Sequence, residues 1–225
     1  MESFLKLFGS QSSELYSHME DGGEFFLIFA RLADVIREFI KEHSTDGEFY
    51  SPRPWILVSR RALIAESAQL SPPCVILEGA QIRHCALLRG SCFIGRDSVV
   101  GNSCEIKNSI LFDGACAPHF NYVGDSILGA RAHLGAGVIL SNLKSDGSDV
   151  TVRIGGSIIS SGRRKLGALI GDDAEIGCGA VLNPGTVIGA NATVYPLLSV
   201  RGYVPDNSIL KSTAPLVICD KEERL

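Results

Sequence analysis

The sequence has no excess of positive charge. Its 21 lysines and arginines are outnumbered by 25 aspartates and glutamates, which gives a net charge of −4 and a pI near 5.7. A basic surface is the usual footprint of nucleic-acid binding, so nucleic acid is not an expected partner. No apolar run approaches the length that spans a bilayer, and the first residues lack the features of a signal peptide. We therefore expect a soluble, cytoplasmic protein without a membrane partner.

Cysteine pairs and metal-ligand spacings are lacking as well. The seven cysteines are an odd number and form no C-x-x-C pair, which argues against a disulfide framework. No set of histidine, cysteine, aspartate and glutamate has the spacing of metal ligands, so no metal is expected to be required.

A repeat of six residues dominates the sequence. Eight large aliphatic residues follow one another at this interval: Ile64, Leu70, Ile76, Ile82, Leu88, Ile94, Val100 and Ile106. The interval returns at Ile170, Ile176, Leu182, Ile188, Val194 and Val200, with a shorter run at Leu128, Leu134 and Leu140. A period of six fits neither an α-helix nor a half-buried strand.

Small residues stand two positions before the large ones. They are Ala62, Ala68, Cys74, Ala80, Ala86, Cys92, Ser98 and Cys104. We interpret the three cysteines among them as buried packing residues at tight corners rather than as redox or metal groups. Six residues per face and three faces per turn predict an all-β fold, a parallel β-helix with eighteen residues per coil, stabilised mainly between neighbouring coils.

The sequence predicts a helical segment before the coils and a tail after them. Residues 24–43 place apolar side chains on one face of an amphipathic helix that packs against the coils or caps their open end; binding to a membrane or a partner is the alternative. We predict an N-terminal helical segment over 1–50, the β-helix over 51–205 and a C-terminal tail over 206–225. Because Leu198 is not small, the regular coils are expected to end near it.

An arm interrupts the coils at about residues 143–167. The segments "VTVRI" and "SIIS" flank a Gly-Gly pair, which is typical of a β-hairpin. We interpret the arm as extruded from the coils. It ends in the basic triplet Arg163, Arg164 and Lys165, for which a solvated charge cluster is the alternative.

The count of six also fails between Ile106 and Leu128, which are 22 residues apart. A bulge or shortened coil is expected there, and such irregularities often re-aim side chains at functional sites. His119 falls in this interval, with Tyr122 three residues later.

Two cations are predicted to stack on one face. Arg89 and Lys107 each follow a large aliphatic residue and are eighteen residues apart, so strand spacing places them roughly 5 Å apart on neighbouring coils. Arginine and lysine held this close favour an anion between them, and a phosphate fits best. Two solvated cations are the alternative, with Glu105 partly neutralising Lys107.

Three strings of residues accompany the repeat: "PHFNYVGDS" (118–126), "HLGAGVILSNL" (133–143) and "GRRKLGALIGDD" (162–173). Together they resemble the acetyltransferase domain of the bifunctional glucosamine-1-phosphate acetyltransferase/uridyltransferases and of related sugar-1-phosphate nucleotidylyltransferases. The resemblance covers about residues 56–211. It implies left-handed coils, acetyl-CoA as co-substrate, and a homotrimer with shared sites in which the arm reaches the neighbouring subunit.

The resemblance also implies roles for individual residues. His119 falls on the family's general base, and Arg89 and Lys107 fall on its phosphate-binding pair. The positions that match contacts to the sugar phosphate are Tyr122, Asn142 and Lys165, with Glu105 beside them. The positions that match contacts to acetyl-CoA are Asn142, Ala136 and Cys178, with Pro196 as a weaker match.

These matches predict an acetyl-CoA-dependent acetyltransferase acting on an amino-sugar 1-phosphate similar to glucosamine 1-phosphate, in the synthesis of nucleotide sugars and cell-envelope precursors. A buried structural role for His119 is the alternative for that residue. For the chain, the alternative is a non-catalytic trimeric module or sugar-nucleotide sensor. Acetylation of a hydroxyl group or of a different amino sugar is a third possibility.

The sequence departs from the family in three places. His133 stands where the family often has asparagine, and we favour a structural role for it. The segment "KSTAPLVICDKEERL" has no evident counterpart of the family's CoA-binding end. No "GxGTRM"-like loop occurs, and about 55 residues before the coils are too few for a nucleotide-binding α/β domain. The nucleotidyltransferase half is therefore expected to be absent.

Overall fold

The chain winds through three parallel sheets, here called faces A, B and C in the order in which each coil crosses them. The computed structural model describes residues 4–9, 15 and 22–213. Strands of successive coils are neighbours within each face, and every pairing between coils is parallel. The predicted parallel β-helix of hexapeptide repeats is confirmed, and its left-handed sense stays the one that the resemblance implies.

The strands are short, as six residues per face and corner require. Face A contains Phe49–Tyr50, which pairs antiparallel, then Ile56–Ser59, Cys74–Ile76, Cys92–Ile94, Ser109–Leu111, Ile127–Leu128, Ala168–Ile170, Thr186–Ile188 and Tyr203–Val204. Face B contains Leu63–Ile64, Gln81–Ile82, Val99–Asn102, Cys116–His119, His133–Leu134, Glu175–Ile176, Thr193–Val194 and Ile209–Leu210. Face C contains Gln69–Ser71, Leu87–Arg89, Glu105–Lys107, Tyr122–Gly124, Ile139–Leu140, Val181–Leu182 and Ser199–Val200.

The repeated aliphatic residues fill the interior of the helix. Nearly all are fully buried in one continuous cluster, together with the small residues at the corners. Cys74, Cys92 and Cys104 belong to this cluster, and burial raises the pKa of Cys92 to about 12. Their interpretation as packing residues is confirmed.

The irregular interval consists of two shortened steps rather than one bulge. Ile106 to Leu111 and Val123 to Leu128 are each five residues, while the steps between them remain six; all four residues are buried in the interior. Both missing residues come from the corner between faces C and A. His119 lies in this interval as expected, but at neither shortened step: it lies between them, at the corner between faces B and C.

A helix covers the outer side of face A. The α-helix α1 spans Ile28–His43 and follows a 3₁₀ helix at Gly22–Leu27; a further 3₁₀ helix spans Phe4–Leu7. The apolar side of α1 packs against the outward residues of face A and forms a second core with them. In this core the rings of Phe39 and Phe93 meet edge to face, with their centroids 5.4 Å apart. Of the two predicted positions, packing against the coils is the observed one.

The arm folds back on its own coils. Thr151–Ile154 and Ser157–Ser160 form the predicted antiparallel hairpin around Gly155 and Gly156. The arm is not extruded, because Val150 and Val152 are fully buried in the outer core beside face A. Apolar burial outweighs the freedom that an extended arm would keep.

The coils continue past Leu198 to Leu210, so their expected end is too early. The last coil is shorter than eighteen residues, because Val187 pairs with Tyr203 sixteen residues later. The repeat of six therefore does not detect this coil. Residues 214–225, which hold most of the predicted tail, lie outside the described residues. No helix within the described part of the chain is long and apolar enough to cross a membrane.

Candidate functional site

A basic pocket lies at the corner between faces C and A. Its volume is about 560 Å³, and it is lined by Arg89, Gly90, Ser91, Lys107, Asn108, Asp125, Gly162, Arg163, Arg164 and Lys165. Five of these residues are cationic and one is acidic. The pocket therefore brings the predicted phosphate pair together with the basic triplet of the arm.

Arg89 and Lys107 extend from face C in the predicted register. Ile106 lies beside Leu88, so the cations that follow them occupy neighbouring coils of the same face. Each cation already has a carboxylate partner. Arg89 Nη1 lies 2.6 Å from Glu105 Oε1, and Lys107 Nζ lies 3.1 Å from Asp125 Oδ2. Mutual repulsion is thus relieved within the protein, and the hydrogen bond with Glu105 raises the pKa of Arg89.

Asp125 is the acidic residue that lines the pocket. It occupies the second shortened corner, and its side chain is only 3% exposed. Besides Lys107, it accepts hydrogen bonds from Asn108 Nδ2 at 2.7 Å and from Asn142 Nδ2 at 2.5 Å. Gly124 makes room for this arrangement, since a Cβ there would lie 2.6 Å from the Asn142 amide nitrogen.

The end of the arm is fixed above Asp125. Leu166 donates its amide hydrogen to the carbonyl of Asn142 at 3.0 Å, and Gly167 donates to the carbonyl of Asp125 at 2.8 Å. These bonds hold the preceding residues, Arg163, Arg164 and Lys165, at the pocket. The cations of the arm therefore line a pocket of their own chain, and contact with a neighbouring subunit stays a prediction.

His119 lies at the opposite edge of face C, between faces B and C. Its side chain is exposed, and among the described residues the imidazole has no hydrogen-bond partner. It is absent from the residues that line the basic pocket. Gly124 lies beside Lys107 and follows His119 by five residues. The Cα atoms of His119 and Gly124 are therefore at most about 18 Å apart.

The surface between the two edges is polar. Glu105 and Tyr122 are neighbours in register on face C and point outward, because the residues that follow them face the core. The Tyr122 hydroxyl accepts a hydrogen bond from Asn142 Nδ2 at 3.2 Å. Thus the predicted sugar-phosphate contacts Tyr122 and Asn142 connect to the pocket through Asp125, and Glu105 connects to it through Arg89.

The predicted acetyl-CoA contacts continue from His119 along the same edge. The carbonyl of His119 accepts from Gly137 at 2.9 Å, that of Ala136 from Gly179 at 2.8 Å, and that of Cys178 from Leu197 at 2.9 Å. His119, Ala136, Cys178 and Pro196 therefore occupy equivalent places on successive coils. With about 4.8 Å per coil, this row is about 14 Å long.

His133 belongs to neither place. It lies on face B, where its Nδ1 is 2.9 Å from Glu175 Oε2 on the next coil. This pairing fits the structural role that we favoured for it. Among the described residues, no group of three or more histidine, cysteine, aspartate and glutamate side chains is placed to hold a metal ion.

Sequence reasoning missed Asn121 as a positioning residue. Asn121 occupies a corner position that elsewhere holds a small residue, and it is buried. Its Oδ1 accepts from the amide of His119 at 3.1 Å, and its Nδ2 donates to the carbonyl of Gly135 at 2.8 Å. A polar residue where the repeat demands a small one was the available signal. Asn108 and Asp125 were missed because the two short steps were not located.

Comparison with known proteins gives matches to parts of this chain. A family model described as the GMPPB C-terminal domain matches residues 70–162. A bifunctional sugar-1-phosphate nucleotidylyltransferase/acetyltransferase of Sulfurisphaera tokodaii is 44% identical over 97 residues, covering 43% of this chain and 24% of that protein. The bifunctional protein GlmU of Methanococcus maripaludis is 38% identical over 136 residues, covering 60% and 33%.

The chain resembles the C-terminal region of GlmU-like bifunctional proteins. A longer match, to GlmU of Methanococcus aeolicus, covers 85% of this chain and 55% of the relative at 26% identity. The chain therefore spans less than two thirds of each of these relatives. Among solved structures, the acetyltransferase domain of PglB from Neisseria gonorrhoeae aligns over 79% of this chain and 63% of its own, with 20% identity and a TM-score of 0.33.

Proposed function

We propose that this protein is an acetyl-CoA-dependent acetyltransferase that acts on an amino-sugar 1-phosphate of the glucosamine 1-phosphate type. The basic pocket carries the proposal, because it gathers five cations around one acidic side chain. Arg89, Lys107 and Lys165 bind the phosphate, and the sugar lies across Glu105 and Tyr122. Anchoring the phosphate at one edge of face C holds the amine near the other.

His119 acts as the general base at that second edge. It takes a proton from the amine as the nitrogen attacks the thioester carbonyl; the carbon–sulfur bond then breaks, and the CoA sulfur leaves and is protonated. Histidine suits this role because it titrates near neutrality. The backbone amide of Ala136 stabilises the oxyanion. Among the described residues this amide has no hydrogen-bond acceptor, whereas the amide of Gly137 donates to the carbonyl of His119.

Acetyl-CoA lies along the row from His119 to Pro196 in this proposal. Ala136, Cys178 and Pro196 are all exposed, so a long, thin co-substrate has an unobstructed line of contact across three coils. Its thioester then lies beside His119. We further propose a homotrimer with shared sites. Light scattering after size-exclusion chromatography tests the trimeric state.

Substitution of His119 tests the mechanism. We expect His119→Ala to lower kcat for acetyl transfer to glucosamine 1-phosphate by about 10²- to 10⁴-fold, the usual contribution of general-base catalysis. CoA release is followed with a thiol reagent, and size-exclusion chromatography checks the assembly. The matched control is His133→Ala, which removes an imidazole paired with Glu175 on face B and leaves kcat within about twofold. Equal turnover of wild type and His119→Ala would remove the mechanism.

A non-catalytic module or sugar-nucleotide sensor is the second candidate. The observation that favours it is the separation of His119 from the basic pocket, which does not include it. Thermal unfolding distinguishes the two functions. A rise in Tm with micromolar acetyl-CoA supports the enzyme, whereas a rise with sugar nucleotides alone supports the sensor.

A further inference from the structure

The cations of the basic pocket fall into two sets with different partners. Arg89 and Lys107, which belong to the coils, form ion pairs with Glu105 and Asp125. The cations of the arm, Arg163, Arg164 and Lys165, form no ion pair with any residue in the described part of the chain. The unbalanced positive charge of the pocket is therefore on the arm.

Arg163 is partly buried, whereas Arg164 and Lys165 are exposed. Its Nε is buried and has no hydrogen-bond acceptor within the described residues. A buried donor without a partner is unfavourable, and more so when it is charged. Arg163 is held there by its neighbours, because its carbonyl accepts from the amide of Val150 at 2.8 Å and its amide donates to Ser161 Oγ at 3.2 Å.

We propose that Arg163 and Arg164 form a second phosphate subsite next to the one made by Arg89, Lys107 and Lys165. This inference rests on the proposed function, whose sugar 1-phosphate occupies the first subsite. One phosphate monoester carries about −1.5 to −2 charges at neutral pH, which leaves cations of the arm unpaired. A ligand with two linked phosphates therefore matches the charge of the pocket better than one phosphate does.

The chemical class of the ligand follows from this second subsite. A sugar joined to a diphosphate, as in a nucleoside diphosphate sugar, presents its two phosphates in series from the sugar outward. Arg163 and Arg164 directly precede Lys165 along the arm and line the same pocket, so the second subsite adjoins the first. The pocket volume of about 560 Å³ falls within the usual range for small-molecule sites.

Calorimetry with inorganic anions tests the subsite without any acetyl transfer. We expect pyrophosphate to bind the full chain at least about tenfold more tightly than orthophosphate, the gain from one added charge-assisted hydrogen bond. Arg163→Gln should remove this gain and leave orthophosphate affinity within about threefold. The matched control is Arg153→Gln, an exposed arginine of the same arm that does not line the pocket.

The outcomes separate this inference from the proposed function. Equal affinity for the two anions in wild type, or an equal loss of both in Arg163→Gln, overturns the second subsite and leaves the phosphate anchor in place. Failure of both anions to bind overturns the subsite and the anchor together. His119→Ala should keep the pyrophosphate preference, because the imidazole lies at the other edge of face C.

Discussion

Replacing the buried Asp125 with asparagine should destabilise the protein far more than replacing the partly exposed Glu105 with glutamine. Both carboxylates pair with a cation of the pocket. The Asp125 side chain is 3% exposed, whereas Glu105 and Arg89 are 31% and 50% exposed. Asparagine is the right substituent at position 125, because its backbone has a φ of 49°, which asparagine tolerates and alanine does not.

The magnitude follows from the partners that Asp125 holds. Its carboxylate accepts from Lys107, Asn108 and Asn142. An amide cannot accept on its nitrogen, so at least one of these donors loses its acceptor, and Lys107 loses its counter-charge. An unpaired buried donor costs about 1–3 kcal/mol, and a broken buried ion pair costs about 3–5 kcal/mol. We expect Asp125→Asn to lower the free energy of unfolding by about 2 to 4 kcal/mol. Glu105→Gln should lose about 0 to 1 kcal/mol.

Urea unfolding followed by far-ultraviolet circular dichroism measures both changes at one fixed protomer concentration, since assembly contributes to apparent stability. With an m-value near 2–3 kcal/mol/M, Asp125→Asn should lower the midpoint by about 1 M. Similar midpoints for the two variants would refute the reasoning, because burial of the carboxylate is the main difference between them. A changed m-value would instead point to loss of cooperativity between coils.

Three further predictions address the core, the thiols and the edge of His119. Phe93→Ala should cost about 3 to 5 kcal/mol in urea unfolding, because its ring is fully buried under α1; a loss below about 1 kcal/mol contradicts the second core. Burial raises the pKa of Cys92 to about 12, so its thiol stays protonated and should resist alkylation at pH 8 to 9. Under the same conditions mass spectrometry should find the exposed Cys85 modified. Labelling of Cys92 in the folded protein would contradict this prediction. Asn121→Ala should cost about 1 to 3 kcal/mol and lower kcat, and an unchanged kcat would remove the positioning of His119.

The interior of the fold was predictable because one requirement repeats. Each coil must bury a large aliphatic residue on every face and turn at a small one, so positions such as Leu88 and Cys104 reveal the period directly. The helix was predictable for the same reason, since its apolar side must be covered. Which surface covers it was not, because nothing in the helix itself distinguishes face A from an open end.

The position of the arm depends on tertiary packing. The hairpin could be predicted from its turn, but its side chains carry no periodic signal for their partner. Val150 and Val152 pack on face A, and this brings Arg163 over Asp125. The sequence therefore predicted the basic triplet without predicting that it joins Arg89 and Lys107.

The two shortened corners explain why the repeat loses its count where it does. In a regular coil, two residues such as Gly90 and Ser91 form the corner between faces C and A. In the next two coils a single residue forms this corner, Asn108 in the first and Asp125 in the second. Removing a residue leaves a single polar side chain at each corner, and these two bond to each other at 2.7 Å. The same deletion at any other corner would place them away from the cations, so the irregularity marks the pocket that binds phosphate in the proposed function rather than the histidine.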